Sequence, residues 1–190
     1  MGVKRREFLK SGCAACACLC GIATVLAAGS ENKPKPEEKD NTKNNLMYEW
    51  IAKLLIGLDK KADRKIIKEI LKDCSDAHYK DLDMDNLLAP YKGDADAFLK
   101  FISEKWGWKT DYDRKAGIII IDEGKSYCAC PFVNNKNRLK SAVLCYCSEG
   151  FAEKMFSAVI GKPVSAEVTE SILKGNPRCK YKVTILSKNL

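Results

Sequence analysis

The feature that most constrains the fold is a change in hydrophobic spacing close to Gly107. Before this residue, apolar side chains recur at intervals of three and four residues, and after it they alternate or form short runs. The first spacing is typical of amphipathic helices, and alternation is typical of strands with one buried face. The sequence therefore predicts an α+β fold, in which a helical N-terminal half packs on a mainly antiparallel sheet as a single domain.

Three helices are predicted before Gly107. The first carries one broad apolar stripe, and the second and third are predicted to be capped by Asp59 and Asp94. The acidic segment 81–90 lacks the spacing of a calcium-binding loop and is predicted to be a solvated loop. The stripe consists of Leu46, Trp50, Leu54 and Leu58, flanked by Met47, Ile51 and Leu55.

Four strands and one more helix are predicted after Gly107. Segments 108–113 and 117–122 form a hairpin, and Ser148 caps a helix that ends at Gly161. Segments 163–172 and 179–186 are the last two strands. The final strand is predicted to point alternate residues inward, namely Cys179, Tyr181, Val183 and Ile185.

The first thirty residues have the character of a targeting segment. Arg5 and Arg6 precede Phe8-Leu9 and an uncharged run over 11–30, which resembles a bacterial twin-arginine export signal. This resemblance implies the twin-arginine export machinery as a partner and a location in the periplasm or at the cell surface. The alternative is that residues 11–30 stay uncleaved as a membrane anchor. Residues 31–45 are predicted to be a disordered linker, and residues 46–190 the folded domain.

Charge and composition exclude several functions. The net charge is +8, of which +3 belongs to residues 1–30, and the remaining lysines are interleaved with acids. We therefore expect no nucleic-acid partner. His78 is the only histidine and is predicted to be solvated, and the chain has neither a phosphate-binding loop nor a dinucleotide-binding motif.

Ten cysteines form two groups. Four lie between residues 13 and 20, in the targeting segment, and two C-x-C pairs stand out among the other six. On a strand both thiols of such a pair point to the same face. The thiols could bind zinc or an iron–sulfur cluster, form disulfides, or remain free as small apolar groups. The candidate residues are Cys128, Cys130, Cys145, Cys147 and Cys179.

A ligand pocket is predicted between the helical half and the sheet. If the last two strands pair so that Ile172 faces Cys179, Glu170 lies opposite Tyr181 on the inward face. A carboxylate on an apolar face costs several kcal/mol unless it is paired, so Glu170 needs a partner, a ligand, a metal or a position at the rim. The candidate pocket residues are Phe151, Phe156, Glu170 and Tyr181, with Phe98, Phe101 and Trp106 as further aromatic walls.

Residues 146–185 resemble the end of the 4-vinyl reductase-type, hydrocarbon-binding domain, and also the L-2-amino-thiazoline-4-carboxylic acid hydrolase-like proteins. The shared order is a cysteine, a helix with an early glycine, Gly-Lys-Pro-Val, a strand with glutamate, and Gly-x-Pro-x-Cys before the last strand. The resemblance implies an α+β domain with an apolar pocket for aromatic or lipid-like molecules, and in some members zinc. Cys179 and Cys147 match cysteines of that family, whereas Ser171 and Val168 replace its zinc-binding cysteine and glutamate.

Three functions follow from the sequence. The first is an exported domain that binds an apolar or aromatic small molecule beside a cysteine-rich site. The second is a hydrolase of small cyclic or thiol-containing compounds, and the third is a structural domain held by disulfides without a ligand. Whether the protein is an enzyme stays open at this stage.

Overall fold

The structure, a computed structural model, describes residues 40–133 and 141–186. The described residues confirm the predicted α+β class, because five α-helices, most of them in the first half, pack against one antiparallel sheet of four strands. The helices are α1 (Asp40–Lys61), α2 (Arg64–Asp81), α3 (Met84–Leu88), α4 (Ala95–Trp106) and α5 (Cys145–Ile160). The strands are β1 (Lys109–Asp113), β2 (Ile118–Asp122), β3 (Val164–Glu170) and β4 (Lys180–Ile185).

The sheet has the order β1-β2-β4-β3, and every neighbouring pair is antiparallel. Its inner face is the one that period-two spacing predicts, since Ile119, Ile121, Tyr181 and Val183 are all buried. Helices α4 and α5 cover this face through Phe98 and Phe156, whose rings meet edge to face at 5.6 Å, and other members of the same apolar core. The sheet and α5 together thus form the frame on which the site is built.

Helix α5 also ties the edge strand β3 to α2. Glu149 accepts the backbone N–H of Val168 at 3.0 Å, and its other oxygen pairs with Lys68 at 2.9 Å. One turn later, Glu153 repeats the arrangement with the N–H of Ala166 and with a lysine of α2. The two carboxylates therefore accept hydrogen bonds from backbone N–H groups that an edge strand would otherwise leave unpaired.

Only part of the predicted apolar stripe of α1 is buried. Leu46 and Trp50 are 71% and 65% exposed, whereas Leu55, on the adjacent row, is buried. Leu55 packs in a second cluster with Ile67 and Leu71 of α2 and with Val143. Both rows of α1 are apolar, and the contact with α2 buries the row that contains Leu55.

Three local predictions were wrong. Asp63, not Asp59, caps α2, where it accepts the N–H groups of two following residues. Helix α5 begins at Cys145, directly after a 3₁₀ turn, so Ser148 lies within its first turn. Segment 81–90 is not a solvated loop, because α3 buries Met84 and Leu88 in the core. The predicted cap Asp94 is confirmed, since its side chain accepts the N–H of Ala97 at 2.9 Å.

Helix α1 begins at Asp40 and therefore extends six residues into the segment predicted as a linker. The predicted export motif at Arg5 and Arg6 and the rest of that linker lie outside the described residues. Within the described ranges, no helix is long and apolar enough to cross a membrane.

Candidate ligand-binding site

A cavity of about 750 Å³ lies between the helices and the inner face of the sheet. Helices α2, α3 and α5 and the end of α4 supply one side, and strands β2, β3 and β4 supply the other. The segment that follows β2, from Glu123 to Pro131, contributes a third wall. The cavity is thus formed by elements from both halves of the chain.

Aromatic rings form much of the cavity wall. Trp106 and Trp108 meet at 5.0 Å between ring centroids, and Trp108 stacks on Tyr181 at 6.3 Å with an interplanar angle of 15°. On the helical side, the Phe151 ring packs against the His78 ring at 4.8 Å between centroids, tilted by 31°. Burial lowers the pKa of His78, so its neutral form is favoured. The predicted pocket residues Phe151, Phe156 and Tyr181 all line this cavity, as does Trp106, whereas Phe98 and Phe101 do not.

One part of the wall is polar. The Tyr181 hydroxyl donates to the Glu123 carboxylate at 2.8 Å, and Ser148 lines the cavity together with them. Burial raises the pKa of Glu123, against the opposing effects of the Tyr181 hydrogen bond and the nearby Lys125. Burial and the charge of Glu123 raise the pKa of Tyr181. The trio Glu123, Tyr181 and Ser148 therefore offers both donors and acceptors to a bound molecule.

Trp108 supplies a further donor. Its indole N–H is buried, and no described residue accepts a hydrogen bond from it. Because a buried donor without a partner costs about 1–3 kcal/mol, a site of this kind favours a ligand that brings an acceptor. Trp108 lines the cavity beside Tyr181, so such a ligand would also contact the polar trio.

The structure separates the two thiols of the second C-x-C pair. Residues 145–147 start α5 and do not lie on a strand, and residues two apart on a helix point in different directions. Cys145 lines the cavity, whereas Cys147 is buried outside the cavity lining. Cys128 and Cys130 lie in the segment after β2 and also line the cavity, together with Cys179. The cysteines that line the cavity are Cys128, Cys130, Cys145 and Cys179.

All six cysteines of the described ranges are free thiols. The interaction between the Cys128 and Cys179 thiols lowers the pKa of Cys128 and raises that of Cys179. The Cys145 sulfur lies 3.1 Å from the hydroxyl of Ser171, but burial still raises the pKa of Cys145. Burial raises the pKa of Cys130 to about 11.

The geometry lends no support to a metal site. Across residues 40–133 and 141–186, no group of three or more His, Cys, Asp or Glu side chains is arranged to hold a metal ion. Val168 and Ser171, which replace the zinc ligands of the resembling family, both line the cavity, where they offer no metal-binding carboxylate or thiolate. Zinc or an iron–sulfur cluster therefore stays a prediction from the sequence alone.

Glu170 is not part of the cavity. The predicted pairing with Tyr181 was wrong, because a register shift between Val168 and Glu170 places Val168 opposite Tyr181 and Glu170 opposite Lys180. The Glu170 carboxylate pairs with the Lys180 ammonium at 2.9 Å, with both side chains about one-third exposed. The Lys180 ammonium thus pairs with the Glu170 carboxylate, which the predicted inward position would have left without a partner.

Two important residues were missed in the sequence. Glu123 continues the inward row of Ile119 and Ile121 at a spacing of two, but the predicted strand stopped at Asp122. Its backbone N–H bonds to the carbonyl of Cys179 at 3.1 Å, so it lies beside β4. Trp108 was assigned only to a hairpin. The spacing could have revealed Glu123, whereas nothing in the sequence indicates a buried, unpartnered N–H at Trp108.

A family model described as "Family of unknown function (DUF6144)" matches residues 17–190, which is most of the chain. The protein belongs to the DUF6144 family. No curated protein matches this DUF6144 chain.

Two solved structures are similar to the DUF6144 chain at low identity. One is a trafficking protein particle complex subunit 3 from Naegleria fowleri, covalently bound to palmitic acid, with a TM-score of 0.48 and 12% identity over 80% of this chain and 98% of that chain. The other is the phenol-responsive sensory domain of the transcription activator PoxR with phenol, with a TM-score of 0.45 and 14% identity over 74% of this chain and 75% of that chain. Similarity at this level does not extend to the ligand.

Proposed function

We propose that this domain binds a small, mostly apolar molecule that carries a hydrogen-bond acceptor. The observation that carries the proposal is the cavity of about 750 Å³, which is lined by Trp108, a residue whose buried indole N–H has no partner among the described residues. Ligand pockets in proteins measure roughly 300–1,000 Å³ and combine apolar walls with a few polar groups. The cavity has this composition, with aromatic rings on two sides and one polar trio.

The polarity of the wall narrows the class of ligand. Glu123 is buried, and an anionic ligand group beside its carboxylate would be repelled unless one of the two were protonated. A neutral acceptor, such as a carbonyl or a hydroxyl oxygen, can accept a hydrogen bond from the Trp108 N–H without this electrostatic repulsion. We therefore propose a neutral apolar or aromatic compound with one or two oxygen atoms.

Binding is preferred to hydrolysis because of the position of His78. A thiol nucleophile is usually activated by a neighbouring base. The ring of His78 packs against Phe151, and no hydrogen bond joins it to a thiol of the described residues.

Export remains part of the proposal, supported by the Arg5-Arg6 motif and testable by cell fractionation.

The fluorescent aromatic ketone Prodan is a suitable probe, since it is neutral and apolar and carries one carbonyl acceptor. We expect it to bind the full chain with a shift of its emission to shorter wavelength. Trp108→Phe keeps the ring but removes the donor, and should weaken binding about five- to tenfold, the value of about one hydrogen bond. Trp50→Phe is the matched control, because Trp50 is an exposed residue of α1 outside the cavity.

Two results would overturn the proposal. One is the absence of Prodan binding to the folded wild-type chain. The other is equal affinity of the two tryptophan variants, which would show that the probe does not use the Trp108 donor. Near-ultraviolet circular dichroism confirms that each variant retains its tertiary packing.

A further inference from the structure

Helix α1 leaves one row of apolar side chains uncovered. Leu46, Trp50 and Leu54 follow one another at intervals of four residues and are 71%, 65% and 45% exposed. Residues at this spacing are neighbours on one face of a helix, so the three form a single apolar surface, called the exposed row below. An apolar surface of this kind, unlike scattered single residues, marks a contact with a protein or a membrane.

Two opposite charges flank the exposed row on one side. Successive residues of an α-helix are about 100° apart, so Lys53 lies about 60° from Trp50, and Glu49 lies about 100° from it in the same direction. Both charged side chains are exposed. One side of the exposed row therefore carries a negative and a positive group about one helical turn apart.

We propose that the exposed row binds the same row of a second copy of this chain, with the two α1 helices antiparallel. Antiparallel packing brings the same flank of both helices together, whereas parallel packing brings opposite flanks together. A twofold axis at the level of Ile51 pairs positions that are equally far from it in the sequence. Glu49 of each copy then lies beside Lys53 of the other, which gives two reciprocal ion pairs.

The length of α1 suits such a contact. The helix has 22 residues and is therefore about 33 Å long, and two packed helices lie about 8–10 Å apart between their axes. The apolar row supplies most of the attraction, since it leaves water on both copies. The two ion pairs favour the antiparallel direction and this register over others.

The same charges disfavour a lipid surface as the occupant of the exposed row. Helices that lie on membranes carry lysines beside their apolar face and gain attraction from anionic lipids. Glu49 would be repelled by an anionic lipid surface, whereas in the antiparallel pair it is neutralised by Lys53. The charge pattern therefore fits a second copy of the chain better than it fits a membrane.

Charge reversal on the full chain tests this arrangement. Sedimentation equilibrium over a range of concentrations should show the wild-type chain reaching twice its mass of 21.2 kDa. Glu49→Lys leaves two lysines on the flank of each copy and Lys53→Glu leaves two glutamates, so each variant alone should dimerise about tenfold more weakly. A mixture of the two variants should recover the wild-type affinity, because every pair across the axis is again opposite in charge.

A substitution in the apolar row provides a second measurement. Leu46→Gln removes apolar surface from the exposed row and should also weaken dimerisation. Leu82→Gln is the matched control, because Leu82 is 48% exposed and lies at the end of α2, outside the row. Circular dichroism of every variant shows whether its fold is retained.

The proposal would be overturned by a wild-type chain that stays monomeric, by single reversal variants that dimerise as tightly as the wild type, or by a mixture that dimerises no better than its components. Equal dimerisation of the two glutamine variants would also contradict it. Binding of the monomer to anionic phospholipid vesicles that Leu46→Gln weakens and Glu49→Lys strengthens would instead assign the exposed row to a membrane. The inference is independent of the ligand proposal, because no residue of the exposed row lines the cavity.

Discussion

Gly150 is the point at which α5 comes closest to α2, and its replacement by alanine gives a sharp test of the packing. A Cβ atom at Gly150 would lie 2.6 Å from the carbonyl oxygen of Lys72, 2.7 Å from the Lys72 Cα and 2.9 Å from the Ser75 hydroxyl. The first two contacts are with backbone atoms, which cannot rotate away. The two helices must therefore separate by about 0.4–0.8 Å to restore an ordinary contact.

The energy of this change can be worked out from two opposing effects. Overpacking of a dense interface costs about 1–3 kcal/mol, and the backbone contacts place Gly150→Ala at the upper end. The gain in helix propensity from glycine to alanine offsets about 1 kcal/mol. The net loss is then about 2 kcal/mol, equivalent to a fall in Tm of about 4–8 °C for a chain of this size. Phe151, which packs against His78 of α2, adjoins Gly150, so the separation should also weaken Prodan binding.

Gly57→Ala is the matched control, since Gly57 lies in α1 and a Cβ atom there meets nothing within 4 Å. It should gain about 1 kcal/mol from helix propensity alone. Thermal unfolding followed by far-ultraviolet circular dichroism, with urea unfolding at one temperature, measures both variants. A Gly150→Ala variant as stable as Gly57→Ala, or more stable than the wild type, would refute the close approach of the helices.

Two further predictions concern buried carboxylates. Burial raises the pKa of Glu123 in the folded state above its value in the unfolded state, so the free energy of unfolding should fall as the pH rises between these two pKa values. Glu123→Gln should flatten this fall, as measured by urea unfolding at a series of pH values. An unchanged pH dependence in the variant would contradict the assignment of the effect to Glu123. Glu149→Ala should cost about 1–3 kcal/mol, mainly because it leaves the Val168 N–H without its buried acceptor, whereas the Lys68 ammonium is 38% exposed and can be solvated. The equivalent Glu153→Ala, at a more exposed position, should cost about 1 kcal/mol, and equal losses of unfolding free energy would refute the role of burial.

Much of the fold could be predicted from local spacing. The β1–β2 hairpin, the inward residues of β4 and the cap at Asp94 all depend on neighbours within a few positions, and all are confirmed. The buried face of α1 could not be predicted in the same way. Two adjacent rows of that helix are apolar, and contacts with α2 and the turn at Val143 decide between them.

The site shows the same division between local and long-range information. The two C-x-C pairs have identical spacing, yet Cys145 and Cys147 diverge because they lie on a helix and not on a strand. Cys128 instead lines the cavity together with Cys179, a residue from a distant segment. Spacing identifies residues that share a face of one element, but only the topology identifies the faces that meet across the cavity. The position of Glu123 belongs to the first kind of information, whereas the shared place of Cys128 and Cys179 in the cavity lining and the unpartnered Trp108 donor belong to the second.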